Sequence, residues 1–117
     1  MLINLDYQSR TPIYEQIVLE IERYVALGIL KPEEQIMPIR EMATELGINP
    51  NTVKKAYSIL EAKGVIVSLS TKGTYIAYNT KKIVEEKIET KILKIKEIVG
   101  ELEKLGISKD EVMEKIK

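Results

Sequence analysis

A mainly α fold with one small β-hairpin is predicted by three features of the chain. Two short amphipathic stretches meet at Gly47. A β-branched run, Val65 to Leu69, is followed across a turn by Thr74 to Tyr78. Beyond Asn79 the sequence is almost wholly Lys, Glu and Ile at helical spacing. In that order they describe a winged helix-turn-helix followed by a helical tail, dividing the chain into residues 1–78 and 79–117.

The first helix is expected to open at Thr11-Pro12, since Thr is a good N-cap and Pro suits the first helical position. Ile13, Ile17, Ile21, Tyr24 and Val25 then recur at helical intervals, with Val18 and Leu27 beside them, and form one buried stripe. Gly28 ends this helix, and Ile29-Leu30-Lys31-Pro32 leads into a loop. A second helix fits Ile39 to Leu46, with Ile39, Met42, Ala43 and Leu46 on one face. Gly47 breaks it and Ile48 is the apolar plug of the turn. Asn49-Pro50 repeats the cap-plus-proline start, and a third helix runs to about Lys63 on the apolar face Val53, Ala56, Tyr57 and Leu60. After Gly64 comes the hairpin, whose turn Ser70-Thr71-Lys72-Gly73 places Gly73 where positive φ is needed.

From Thr80 a long helix is expected. Val84, Ile88, Ile92, Ile95, Val99 and Leu102 follow one another at intervals of 4, 4, 3, 4 and 3, close to a coiled-coil seam. Ile83, Leu93, Ile98 and Leu105 widen the stripe, while Gly100 weakens the helix by about 1 kcal/mol relative to Ala. Gly106 ends it, and Ser108 with Glu111 reads as a capping box for a last short helix carrying Val112, Met113 and Ile116. So apolar a helix is not left bare by a soluble monomer. It either packs back on its own winged helix or meets a second chain, and the homodimer is the expectation.

Composition narrows the function. With 117 residues, 44% hydrophobic and 31% charged, the chain reads as an ordered soluble protein. There is no apolar run long enough to span a membrane, and Met1-Leu2-Ile3-Asn4-Leu5-Asp6 does not look like a signal peptide, so a cytoplasmic protein is expected. Cysteine and histidine are both absent, which removes thiolate chemistry, the usual general base and the commonest metal ligand. No nucleophile–base pair, phosphate loop or metal cluster stands out, so no catalytic residue, metal or cofactor is assigned. The net charge is zero, 18 basic against 18 acidic residues. Residues 1–78 carry 8 basic and 9 acidic side chains and residues 79–117 carry 10 and 9, so the tail is no basic arm. Any nucleic-acid surface must be local.

Such a surface has one natural place. The start of the second helix of a helix-turn-helix enters the major groove. Here that start is Asn49, Pro50, Asn51 and Thr52, followed by Lys54 and Lys55. Short amides and hydroxyls at a helix N-terminus suit phosphate oxygens, Asn can read adenine, and Lys can reach guanine or phosphate. Arg40 lies early in the preceding helix, and Lys72 at the wing tip suits a phosphate or minor-groove contact. Each also has a plainer reading: Asn49 is an N-cap, and the lysines are solvated charges. A winged-helix interaction module that has lost DNA binding is the alternative.

The stretch Tyr14-Glu15-Gln16-Ile17, Leu30-Lys31-Pro32, Arg40-Glu41-Met42-Ala43, Gly47 through Tyr57, Leu60-Glu61, Gly64-Val65-Ile66 and Lys72-Gly73-Thr74-Tyr75-Ile76 closely resembles the GntR family of bacterial repressors, over residues 7 to about 78. The resemblance implies a winged helix that binds double-stranded operator DNA as a dimer. It implies contacts from Arg40, from Asn49, Pro50, Asn51 and Thr52, from Lys54 and from the wing glycine, Gly73. The chain departs from the family pattern at Pro32-Glu33, where Pro-Gly is usual. It departs again at Ile36-Met37-Pro38, where Leu-Pro-Ser is usual, and at Leu69-Ser70-Thr71, where the wing is commonly basic. The short tail resembles the YtrA-like branch, in which C-terminal helices make the dimer and whose members often control transporter operons. No dedicated effector-binding domain is expected.

Overall fold

The computed structural model describes residues 3–117; Met1 and Leu2, part of the segment read for a leader, lie outside the described residues. In chain order the elements are α1 (Ile13–Ala26), β1 (Gln35–Ile36), α2 (Ile39–Leu46), α3 (Pro50–Ala62), β2 (Ile66–Ser68), β3 (Thr74–Ile76), α4 (Thr80–Lys104) and α5 (Lys109–Ile116). The chain is mainly helical with a small antiparallel sheet in the order β1-β3-β2. It clusters into two compact units, one ending at Val84 and one beginning at Glu85.

The first unit is built on three helices whose apolar stripes converge. Ile17, Val18, Ile21, Tyr24 and Val25 of α1, Met42 and Ala43 of α2, and Val53, Ala56, Tyr57 and Leu60 of α3 share one core with Val65, Ile66 and Ile76 of the hairpin. Full burial of such a side chain stabilises by about 1.5–3 kcal/mol. One charge lies within this layer. Glu22 is buried, and its carboxylate sits 3.8 Å from Lys63 Nζ at the C-cap of α3, so α1 and α3 are joined by an ion pair as well as by apolar contact.

Helix α1 begins differently from the expectation at Thr11. Pro12 is the N-cap residue and no side chain caps the helix. Gln16 organises this end instead: its amide donates to the carbonyls of Thr11 (2.8 Å) and Asp6 (2.9 Å) and its oxygen accepts from Asp6 N–H (2.8 Å). The N-terminal segment is thereby stapled to α1, and Tyr7 Oη donates onward to the Leu46 carbonyl at the end of α2 (3.3 Å).

The sheet has a strand that the sequence did not signal. Gln35 and Ile36 pair with Tyr75 and Thr74, because Ile36 has a core position to fill and β3 has a free edge. Ile66, Val67 and Ser68 pair with Ile76, Tyr75 and Thr74 on the other side. The turn between β2 and β3 passes through a 3-10 segment, Ser70–Lys72, and closes with Leu69 N–H donating to the Gly73 carbonyl (2.9 Å). Gly73 is needed for its backbone, whose φ is +110°; a Cβ there would also stand 2.7 Å from Gln35 Nε2, the movable end of an exposed side chain.

The division between units falls after Val84 rather than between Tyr78 and Asn79. Thr80 and Val84, near the start of α4, are 0% and 3% exposed and lie within the first unit, with Val84 in its apolar core. Val84, expected to head the dimer seam, therefore serves a different purpose. The rest of α4 runs through Gly100 without a break. The Ser108 cap is present: Ser108 Oγ accepts from Glu111 N–H (3.2 Å), and α5 buries Val112.

Two positions give stability predictions. Glu33 holds φ +68°, where the family pattern has Gly, and is pinned there by its N–H to the Ile76 carbonyl (2.8 Å) and by Ile76 N–H to the Glu34 carbonyl (2.8 Å). A left-handed backbone costs a non-glycine residue about 1–2 kcal/mol, of which the greater freedom of unfolded Gly returns part. Glu33→Gly should raise stability by about 0.5–1 kcal/mol in urea titration. Tyr57 is buried, and its hydroxyl donates to the Met37 carbonyl at 2.5 Å. Tyr57→Phe should lower stability by about 1–2 kcal/mol by leaving that carbonyl unpaired. Burial, and secondarily the charge of Glu41, push the Tyr57 phenol above its ordinary value of 10.0. The unfolded chain therefore ionises first, so the stabilisation is full below pH 10.0 and falls as pH rises above it. The gap between wild type and Tyr57→Phe should narrow there.

Candidate nucleic-acid interface

The helix-turn-helix is α2, a tight turn and α3. Gly47 ends α2 in the left-handed conformation, with φ +67°. Ile48 N–H then donates to the Ala43 carbonyl (3.0 Å), and Ile48 packs against the core as the plug of the turn. Asn49 caps α3: its Oδ1 accepts from Asn51 N–H (2.8 Å) and its carbonyl from Thr52 N–H (3.0 Å), with Pro50 in the first turn. This local bonding alters one expectation. Pro50 has no N–H, and those of Asn51 and Thr52 are committed to Asn49, so the backbone at this end offers an anion little. The dipole remains, because α3 has no acidic residue in its first turn. What this end can offer a ligand is therefore its side chains.

Most of those side chains reach the surface. Asn49, Pro50, Asn51, Lys54 and Lys55 are exposed, and Thr52 is half-buried. They rise from one helix whose opposite face, Val53, Ala56 and Leu60, is solvent-free. Arg40 is exposed on the first turn of α2, and its guanidinium, like the Lys54 ammonium, has no ion-pair or hydrogen-bond partner among the described residues. Lys55 differs from its neighbour: its Nζ lies 4.0 Å from the centroid of the Tyr14 ring on α1. Lys72 is exposed on the wing and its carbonyl accepts from Tyr75 Oη (3.0 Å). Gly73 is half-buried against Gln35, so its place in the wing is explained by backbone geometry.

Tyr7 and Tyr14 were not singled out as site residues, yet both reach the helix-turn-helix from outside it. Tyr7 bonds the end of α2 and Tyr14 faces Lys55. Tyrosine supplies every aromatic ring in the chain, and Tyr14 opens the stretch that resembles the family, but neither fact pointed to these contacts.

A second exposed surface lies on α4 in the C-terminal unit. Ile88, Ile92 and Ile95 are each about half exposed, and Leu93 and Ile98 are exposed beside them. Val99 and Leu102 are half-buried. A shallow groove of about 270 Å³ runs between Ile88, Ile92 and Leu93, edged by Glu89 and Lys96. Among the described residues no helix is long and apolar enough to cross a membrane.

Residues 13–76 match the model of the bacterial regulatory proteins of the gntR family. The HTH-type transcriptional repressor YtrA of Bacillus subtilis (strain 168) is 38% identical over 117 residues, covering 99% of this chain and 90% of that protein. The crystal structure of a transcriptional regulator from Oenococcus oeni superposes with a TM-score of 0.76 at 31% identity, over 98% of this chain and 96% of that one. The DNA-binding domain of AraR, crystallised with operator ORE1, superposes with a TM-score of 0.55 at 26% identity, over 66% of this chain and 94% of that one. The chain belongs to the GntR family of bacterial transcriptional regulators and carries that family's DNA-binding helix-turn-helix.

Proposed function

We propose that this regulator is a cytoplasmic repressor that binds a pseudo-palindromic operator as a homodimer joined through its C-terminal helices. The observation that carries the DNA reading is the exposed block Asn49 to Lys55 on a helix whose other face is wholly buried. In this reading Asn49, Asn51 and Thr52 meet base edges and the nearest phosphates, while Arg40, Lys54, Lys55 and Lys72 meet phosphates. Pro50 and Gly73 shape the backbone that presents them. The operator complex of AraR supports the docking mode, and the repressor YtrA supports the direction of control. The homodimer rests on the apolar face Ile88, Ile92 and Ile95, continued by Val99 and Leu102. Val84 is left out, since the first unit buries it.

Selection of bound sequences from a random duplex pool should return an inverted repeat with half-site centres about one helical turn, 10–10.5 base pairs, or a multiple of it apart. Recovery of no enriched sequence would favour the interaction-module alternative. With the selected duplex, Arg40→Ala and Lys54→Ala should each weaken binding and reduce the slope of log K against log salt by about one unit. Unchanged slopes would remove both residues from the interface. In sedimentation equilibrium the wild type should run as a dimer, and Ile92→Glu should run as a monomer with the first unit still folded. An Ile92→Glu variant of unchanged mass would place the interface elsewhere.

A further inference from the structure

Lys54 and Lys55 are adjacent in sequence, equally basic and both exposed, yet the fold treats them differently. Lys54 has no partner among the described residues, so its four-carbon stem is free to sample many rotamers. Lys55 is held. Its ammonium sits 4.0 Å from the centroid of the Tyr14 ring, inside the range of a cation–π contact. The ring is itself fixed, because Tyr14 is half-buried on the first turn of α1 and packs against the core. Helix α1 in turn packs on α3, the helix that carries Lys55. A ring face satisfies an ammonium from one side and cannot neutralise its charge, so N–H donors remain for an anion on the open side.

We infer that Tyr14 is a positioning residue for DNA binding. It holds the Lys55 ammonium at the flank of the recognition helix as a preordered phosphate donor. The inference rests on the operator-binding reading above. The ordering of Lys55 is then present before DNA arrives, whereas Lys54 must be ordered on binding. Lys55 should accordingly carry more of the affinity than Lys54, although both bring one charge. What matters in Tyr14 is the ring, so Phe should replace it and an aliphatic residue should not.

The experiment is an anisotropy titration of the selected operator with wild type, Tyr14→Phe, Tyr14→Leu, Lys54→Met, Lys55→Met and the double variant Tyr14→Leu/Lys55→Met. Tyr14→Phe should bind within about twofold of wild type. Tyr14→Leu and Lys55→Met should each bind about five- to tenfold more weakly, with Lys54→Met less affected, and the double variant should be no weaker than Lys55→Met alone. In the free protein, the Lys55 ε-methylene protons should resonate upfield through the ring current in wild type and Tyr14→Phe, and at ordinary shifts in Tyr14→Leu. Should Tyr14→Leu fail to fold, Tyr14→Met takes its place. A loss in Tyr14→Phe equal to that in Tyr14→Leu would assign the role to the hydroxyl and overturn the inference. So would a Tyr14→Leu loss that persists in the Lys55→Met background, or ordinary Lys55 shifts in wild type. Wild type that binds no duplex while keeping the upfield shift would overturn the operator reading, and this inference with it, but not the contact.

Discussion

The helix-turn-helix depends on one buried polar contact, the Tyr57 hydroxyl donating to the Met37 carbonyl. Tyr57 stands in the middle of α3, and Met37 lies between β1 and α2. The bond therefore fixes the recognition helix against the segment that starts the helix before it. That segment needs an external anchor, because α2 begins on Pro38 with no side-chain cap. Tyr57 also touches Met42 Sδ at 3.7 Å, so the same side chain packs on α2 and bonds the segment leading into it. Glu22 with Lys63 ties the far end of α3 to α1. Between these two points the exposed face of α3 has little freedom to rotate, which is the precondition for reading a groove.

The sequence revealed most of what local chemistry controls. The tight turn at Gly47, the Asn49 cap, the Gly73 bend and the Ser108 cap are each decided within a few residues, and each is present as read. The buried stripes of α1 and α3 were legible because helical periodicity records which face is covered. What was not legible depends on partners distant in the chain. A two-residue strand such as β1 has no period, and exists because β3 offers it an edge. Thr11 looked like a cap because Thr usually is one, but the cap position falls one residue later, on Pro12, and the Thr11 carbonyl is bonded by Gln16. Val84 fits the heptad spacing of the tail as well as Ile88 does. Only the core of the first unit, lying beside the first turn of α4, separates them. The Lys55–Tyr14 contact spans two helices that the sequence places far apart.

A chain of zero net charge still sorts its charges by element. Acidic residues occupy α1 and α2, as Glu15, Glu20, Glu22, Glu41 and Glu45. Within α3 the first three turns carry Lys54 and Lys55 and no carboxylate, and Glu61 comes only in the last. The Debye length at physiological ionic strength is about 8 Å, so what a phosphate senses is this local set rather than the total. Overall neutrality thus weakens long-range steering toward DNA without weakening the contact itself.

That economy of charge gives the tail of the proposed dimer a part in DNA binding. Arg40, Lys54, Lys55 and Lys72 are the cations that the winged helix offers from the proposed face. Their full neutralisation of phosphate corresponds to a salt slope of about −3.6 for one protomer. Two protomers on one duplex double this to about −7, within the range of proteins that make 6–10 phosphate contacts. Joining two weak modules also makes the second binding event intramolecular, which can strengthen overall binding by about 10²–10⁴ without any new contact. The apolar side chains of α4 carry no sequence information, and they need none. In the proposed homodimer their part is to join two sparsely charged recognition helices, so that the pair gains the affinity that one winged helix lacks.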